Sequence, residues 1–548
     1  MRKFLFLVLV CIAPSMLKAQ TFSRKDSLRG TLTDLRSCFD VHFYNLMVDV
    51  DFEKQSLEGE VEIYLEAKQS FDKIQLDLYA NMDILEINYA GQPLFFEREF
   101  DAVFVHFTKA IPAGAHIMLS VQYFGTPQKA VKPPWDGGFA WKKDEKGNDW
   151  LGVAVEGDGA SLWWPNKDHL SDEPDSMAIR VTVPDTLICV SNGVLRSELA
   201  VKGNKKQYNW FVSYPINNYN VTLNIGKYVH FSDTYVSQGT TYPLDYYVMP
   251  YNLEKAKEQF QQVHGMMDCF EGLFGPYPFW NDGYALVETP YLGMEHQGAI
   301  AYGNGYMPGY KGRRPLGIDF DYIIIHETGH EWWGNSVSMN DIADMWIHES
   351  FCTYSEALFV ECSMSTEEMV RYLNYQRAFI SNTNPVQGPY GVNRSGDHTD
   401  MYYKGSWMLH TLRSVIDNDE KWLAIIKGLA MDFKHSNVDG ADIINYIEKE
   451  ADLELSYFFD QYQKQSKLPE LRYNFSKKWF KHELSYKWIS EVEDFRMPVR
   501  VAINNGEMQW IYPTADWQTI KLKRVKFPKI KVDLDHFLVN SLELKELR

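Results

Sequence analysis

Cysteine is scarce in this chain and never paired at short range. Its 548 residues hold six cysteines and no CxxC, which excludes a cysteine-type zinc site. With Cys11 in a leader, five remain: Cys38, Cys189, Cys269, Cys352 and Cys362. That odd, scattered set makes no disulfide framework. On one helix Cys352 and Cys362 would stand about 15 Å apart, too far to bridge, so mostly buried free thiols are expected. Beyond the first residues, no apolar run nears the ~20 residues of a membrane helix, which predicts no stable membrane insertion. Positive charge is also short. Lys and Arg total 55 against 73 Asp and Glu, a net charge of −18, which argues against nucleic acid and anionic membranes as partners. There is no internal repeat and no low-complexity tract.

Aromatic residues are plentiful, at 15% with 16 Trp, as large cores and substrate clefts require. Met-Arg-Lys, an apolar run from Phe4 to Pro14, then Ser15 to Ala19 with a small residue at the end have the form of a cleavable signal peptide over 1–19. A secreted or periplasmic location is therefore expected.

Period-two alternation dominates from residue 40 to about 235. Tyr44, Leu46, Val48, Val50 and Phe52 form one such row, Val61, Ile63 and Leu65 a second, and Ile74, Leu76 and Leu78 a third. Such rows are strands with one buried face, so 20–235 is expected to be an N-terminal β-sandwich or saddle-shaped sheet. The pattern turns helical near Asn252, a candidate cap for a helix to about Leu273, stopped by Gly275-Pro276. Residues 283–301 look extended, and Asp319 to about Tyr462 mostly helical. After Lys467-Leu468-Pro469, short alternating runs return. The expected fold is multidomain α+β: a β domain to 235, a mostly helical domain over 236–467, and a small β-sandwich over 468–548.

The chemistry centres on His326-Glu327-Thr328-Gly329-His330. On a helix, residues four apart share a face, so two imidazoles can hold one ion while Glu327 reaches its water. The helix is expected to end near Gly334. A catalytic zinc of this kind needs a third protein ligand. Glu349, after eighteen intervening residues, fits if a second helix returns beside the first. His348 is the rival, and as a helical neighbour it points about 100° away.

HExxH followed by Trp332, Gly334 and Asn335, with Glu349 eighteen residues on, resembles the aminopeptidase N family of zinc peptidases (gluzincins), which includes the leukotriene hydrolase. The resemblance implies a thermolysin-like catalytic domain, one zinc per chain held by His326, His330 and Glu349, and Glu327 as general base. Gly293-Met294-Glu295-His296-Gln297 is similar to the family's Gly-x-Met-Glu-Asn signature, which makes Glu295 the partner of a substrate's free α-ammonium, with Gly293, Met294 and His296 beside it. His296 stands where the family has Asn, and a titrating ring there would alter the pH range of binding. Ala154-Val155-Glu156, before Trp164-Pro165-Asn166-Lys167-Asp168, resembles the family's second ammonium site. Glu156 fits, while Ala154 lacks the usual amide. Tyr402-Tyr403-Lys404-Gly405 resembles Tyr-x-Lys-Gly and implies Tyr402, with Tyr403 adjacent, as donor to the tetrahedral oxyanion. The implied function is release of N-terminal residues from peptides with a free N-terminus. A thermolysin-like endopeptidase with the same zinc site is the alternative. The neighbourhood of Trp332 and Asn335 is expected to support the zinc ligands, without the sequence showing which residue bonds which His. Oligomeric state is not legible.

Overall fold

A computed structural model describes residues 22–393, 399–478, 481–522 and 527–545; the expected signal peptide lies outside them. After a short helix, α1 (Arg24–Gly30), the chain enters an eight-stranded sheet. At its centre β1 (Phe39–Asp51) pairs antiparallel with β2 (Ser56–Ala67) and parallel with β3 (Ser176–Pro184). The alternation works as expected: Tyr44, Leu46, Val48 and Val50 of β1 and Val61, Ile63 and Leu65 of β2 are buried. They face a second layer of two smaller sheets, which includes the strand Asp149–Ala154. Interdigitating side chains of the two layers form one apolar core.

A five-stranded mixed sheet follows. Val229–Ser237 and Thr240–Val248 form a hairpin, and β4 (Tyr284–Glu288) and β6 (Ile300–Tyr302) add in parallel. The two-residue strand β5 (Gly293–Met294) sits on the edge, antiparallel to β6. Between hairpin and β4 the expected single helix is broken. A helix over Leu253–Gln259 ends at Phe260, and α2 covers Gln262–Phe274. Asn252 does not cap it, because its side-chain amide donates instead to the buried Glu288 carboxylate, at 2.7 Å. Gly275 ends α2 with φ +95°, a conformation glycine adopts without strain.

Four further helices frame the candidate site: α3 (Tyr322–Gly329), α4 (Trp346–Ser363), α5 (Thr366–Arg377) and α6 (Tyr403–Ile416). The C-terminal strands form a four-stranded and a three-stranded sheet. Their buried residues, Leu484, Trp488, Val499 and Phe537 among them, belong to the same core as the helices. Among the described residues no helix is long and apolar enough to cross a membrane.

The thiol expectation is corrected. Cys269 of α2 and Cys362 of α4 form a disulfide, with Cα atoms 6.0 Å apart and a sequence separation of 93. Cys38, Cys189 and Cys352 are free and buried. Cys352 and Cys362 do share a helix and do not bridge; the partner of Cys362 comes from a helix packed across it.

Candidate active site

The site is built on α3 and α4. Asp321 caps α3, its carboxylate accepting from the Ile323 backbone N–H at 3.1 Å. The helix ends at Gly329, a turn earlier than expected. The segment after it leaves the helical ladder to carry Glu331 and Asn335 toward residues 295–298. Glu331 accepts from Gly298 N at 2.9 Å, and Asn335 donates to the Glu295 carbonyl at 2.8 Å. His330 keeps helical dihedrals as the capping residue, so the four-residue stacking survives. Glu349 lies in the first turn of α4.

The two His Nε2 atoms stand 3.2 Å apart, and Glu349 Oε2 lies 3.3 Å from His326 Nε2 and 3.6 Å from His330 Nε2. A tetrahedral zinc with bonds of about 2.05 Å separates its ligand atoms by about 3.3 Å, so the triad fits that ion. Glu349 Oε2 is buried without a hydrogen-bond donor, as a metal-directed oxygen would be. The outer ring nitrogens are engaged. His330 Nδ1 lies 2.9 Å from the Trp333 carbonyl and His326 Nδ1 lies 2.7 Å from Glu356 Oε1. Donation there leaves each Nε2 lone pair free for a cation.

Glu356 escaped the sequence reading. It lies two helical turns beyond Glu349 and so on the same face of α4. That periodicity was the available signal, but nothing in it distinguishes Glu356 from other helical acids. It is held by Tyr310 Oη at 2.7 Å, by Gln376 Nε2 at 3.5 Å and by the Tyr372 hydroxyl. His348 is turned away, with Nε2 accepting from the Met339 backbone N–H at 3.0 Å. Burial pulls its pKa down to about 3, so the ring is neutral.

Beside the triad opens a cavity of about 380 Å³, lined by Trp135, Glu156, β5, α3, α5 and the start of α6. Glu327, Glu295 and His330 place their polar atoms within 4.8 Å of one another. Burial, opposed by His326 and His330, pushes the Glu327 carboxyl up to about 8. Gly293 serves Glu327 directly: a Cβ there would stand 2.4 Å from Glu327 Oε1. Glu295 accepts from Tyr219 Oη at 3.0 Å. Glu156, just past the strand Asp149–Ala154, has a buried Oε1 without a donor. Burial, then Glu295, raises its pKa well above the usual range. Met294 also lines the cavity.

Tyr402 precedes α6, with its ring 6.1 Å from that of His326. Burial and Glu349 raise its pKa far up, keeping a proton on the hydroxyl. Tyr403 leans on Phe379 at 5.3 Å instead. The following residues fix this placement. Lys404 Nζ donates to the Gln465 carbonyl at 2.7 Å, and Gly405 meets Ser350 so closely that a Cβ would lie 1.8 Å from its hydroxyl.

One expectation is corrected. His296 is not brought to the cavity lining. It is fully buried with neither ring nitrogen partnered, and burial holds its pKa near 3. The neighbourhood of Trp332 and Asn335 reaches the candidate ligands through Trp333, whose carbonyl lies 2.9 Å from His330 Nδ1. Trp332 donates to the Gly275 carbonyl at 3.1 Å, and Asn335 supports the backbone of Glu295.

A helix-borne HExxH, a glutamate from the next helix and an acidic cleft have the arrangement of a gluzincin-type metal site. The domain model of peptidase family M1 matches residues 251–462 of the chain, which supports the resemblance to the aminopeptidase N family. A probable aminopeptidase of Sulfurisphaera tokodaii is 21% identical over 427 residues, 74% of this chain and 51% of the relative. Aminopeptidase N of Lactobacillus helveticus is 27% identical over 203 residues, 34% of this chain and 23% of the relative. Among solved structures, a variant of the M1 zinc metallopeptidase of Deinococcus radiodurans bound to a Tyr-Ser-Ala substrate superimposes with a TM-score of 0.65 at 21% identity. The match covers 78% of this chain and 95% of that one. Aminopeptidase A of Legionella pneumophila, in complex with aspartic acid, gives 0.79 at 15% identity, over 93% of this chain and 60% of that one. The chain spans about half the length of the longer-matching curated relatives.

Proposed function

We propose that the chain is a zinc-dependent aminopeptidase that removes N-terminal residues from peptides with a free amino terminus. The observation that carries this reading is the pair Glu295 and Glu156. Both line the cavity beside the candidate metal triad, and no Lys or Arg bonds either one among the described residues. Buried carboxylates without a cation are costly, and a substrate ammonium would supply one.

His326, His330 and Glu349 would hold one zinc ion, with Glu356 and the Trp333 carbonyl orienting the imidazoles. Zinc, when bound, supplies Lewis acidity for the scissile carbonyl and for water. Glu327 would take a proton from the attacking water and return it to the leaving amine. The Tyr402 hydroxyl, held protonated, would donate to the oxyanion of the tetrahedral state. Glu295 and Glu156 would clamp the ammonium so that only the first peptide bond lies over the metal. The division into a β domain to 235, a peptidase domain over 236–467 and a β-rich end over 468–548 is part of this proposal. The Cys269–Cys362 disulfide supports a non-cytosolic, oxidising location. A panel of aminoacyl chromogenic substrates tests the function. Hydrolysis that a chelator stops and zinc restores is expected, and no hydrolysis of any member by the zinc-loaded chain would reject the reading.

A further inference from the structure

The acidic residues of the cleft gather on one side of the triad. Glu295 and Glu327 stand beside His330, and Glu156 lies against Glu295. The cleft has one cationic side chain among the described residues that line it, Arg313, and its hairpin connects to His326, whereas Glu295 and Glu327 gather at His330. Arg313 closes a two-residue hairpin whose strands meet at Tyr310 and Arg313, N···O 3.1 and 3.0 Å. Lys311 and Gly312 turn it with φ +48° and +84°, the left-handed pair of a tight hairpin. Tyr310 anchors the hairpin to Glu356, which holds His326. The turn that carries Arg313 is therefore bolted to the metal centre through two hydrogen bonds. Among the described residues the Arg313 side chain has no hydrogen-bond or ion-pair partner, whereas its neighbour Arg314 is bonded to Asp319.

We propose that Arg313 recognises a carboxylate on the leaving side of the peptide, opposite the ammonium clamp, and so makes the cleft selective for peptides with a negative charge a short, fixed distance from the scissile bond. The proposal rests on the aminopeptidase reading for its orientation. A planar guanidinium at the rim of a cleft, without a partner among the described residues, matches a carboxylate in bidentate fashion. The carboxylate has two possible sources, the C-terminus of a di-, tri- or tetrapeptide and an Asp or Glu side chain early in a longer one.

The test measures binding by calorimetry on the zinc-loaded full chain, silenced by Glu327→Ala. Leu-Gly, Leu-Gly-Gly and Leu-Gly-Gly-Gly are each compared as free acid and C-terminal amide. Leu-Glu-Gly-Gly amide is compared with Leu-Gln-Gly-Gly amide for the side-chain source. A preference for the charged member of about tenfold or more is expected in at least one pair. Adding Arg313→Ala should bring that ratio close to one, and Arg313→Lys should keep part of it. A generally damaged site would weaken both members and leave the ratio intact. Equal affinities in every pair, or a ratio that survives Arg313→Ala, overturn the proposal. The readout needs no turnover. Charge preference lost with Arg313 in a chain that cleaves nothing would leave this inference standing and sink the aminopeptidase reading.

Discussion

The two halves of the site are finished to different degrees. At the metal triad each outer imidazole nitrogen is engaged, and Glu356 is held by three side chains. The half proposed to hold the ammonium is left open: among the described residues Glu295 has a single side-chain hydrogen-bond partner, Tyr219, and Glu156 Oε1 has none. The difference follows from what each half must do. A metal site gains from ligands locked before the ion arrives. A substrate site must keep its charge available, because a carboxylate already bonded to an arginine would have nothing to offer an ammonium.

The comparison can be broken by single substitutions. The largest effect belongs to the triad: Glu349→Ala should remove zinc and with it essentially all activity, as metal analysis on the purified chain would reveal. Glu327→Ala should keep its zinc yet lose about 10²–10⁴-fold in kcat. Retained activity there would remove Glu327 from the reaction. Glu356→Ala should weaken zinc about 10–100-fold, read by chelator competition. A substitution at Glu295 should instead raise KM for free-amine substrates and leave zinc affinity alone. If Glu295→Gln released the metal, the two halves would not be separable. His296→Asn should change least. With the ring neutral above about pH 3, the pH–rate profile between 5 and 8 should keep its shape.

The disulfide offers a comparison of another kind. Cys269–Cys362 ties α2 to α4 across 93 residues. Cutting it with Cys269→Ser should lower stability by about 2–5 kcal/mol, read as the shift in Tm against wild type.

What could be read from the chain beforehand tracks how local each feature is. His326, Glu327 and His330 lie within one helical turn, so spacing alone revealed them. The core alternation of β1 and β2 was legible for the same reason, since a period of two needs only neighbours. Glu349 needed a second helix to come back, and Glu156 had to arrive from another sheet, so resemblance carried that assignment. The Cys269–Cys362 bond depends on how α2 and α4 cross, which no spacing rule contains. Asn252 looked like a cap because caps are local; the buried carboxylate of Glu288 claimed it instead. His296 occupies a signature position two residues past β5, yet its ring is buried in the interior and does not line the cleft.

The most direct test of the central claim is a matched pair of peptides, identical except that one carries an acetyl group on its α-nitrogen. Zinc-loaded wild type should cleave the free-amine member at least about a hundredfold faster in kcat/KM, and Glu295→Gln should shrink that ratio. Equal cleavage of both members by wild type would contradict the account and point to an endopeptidase.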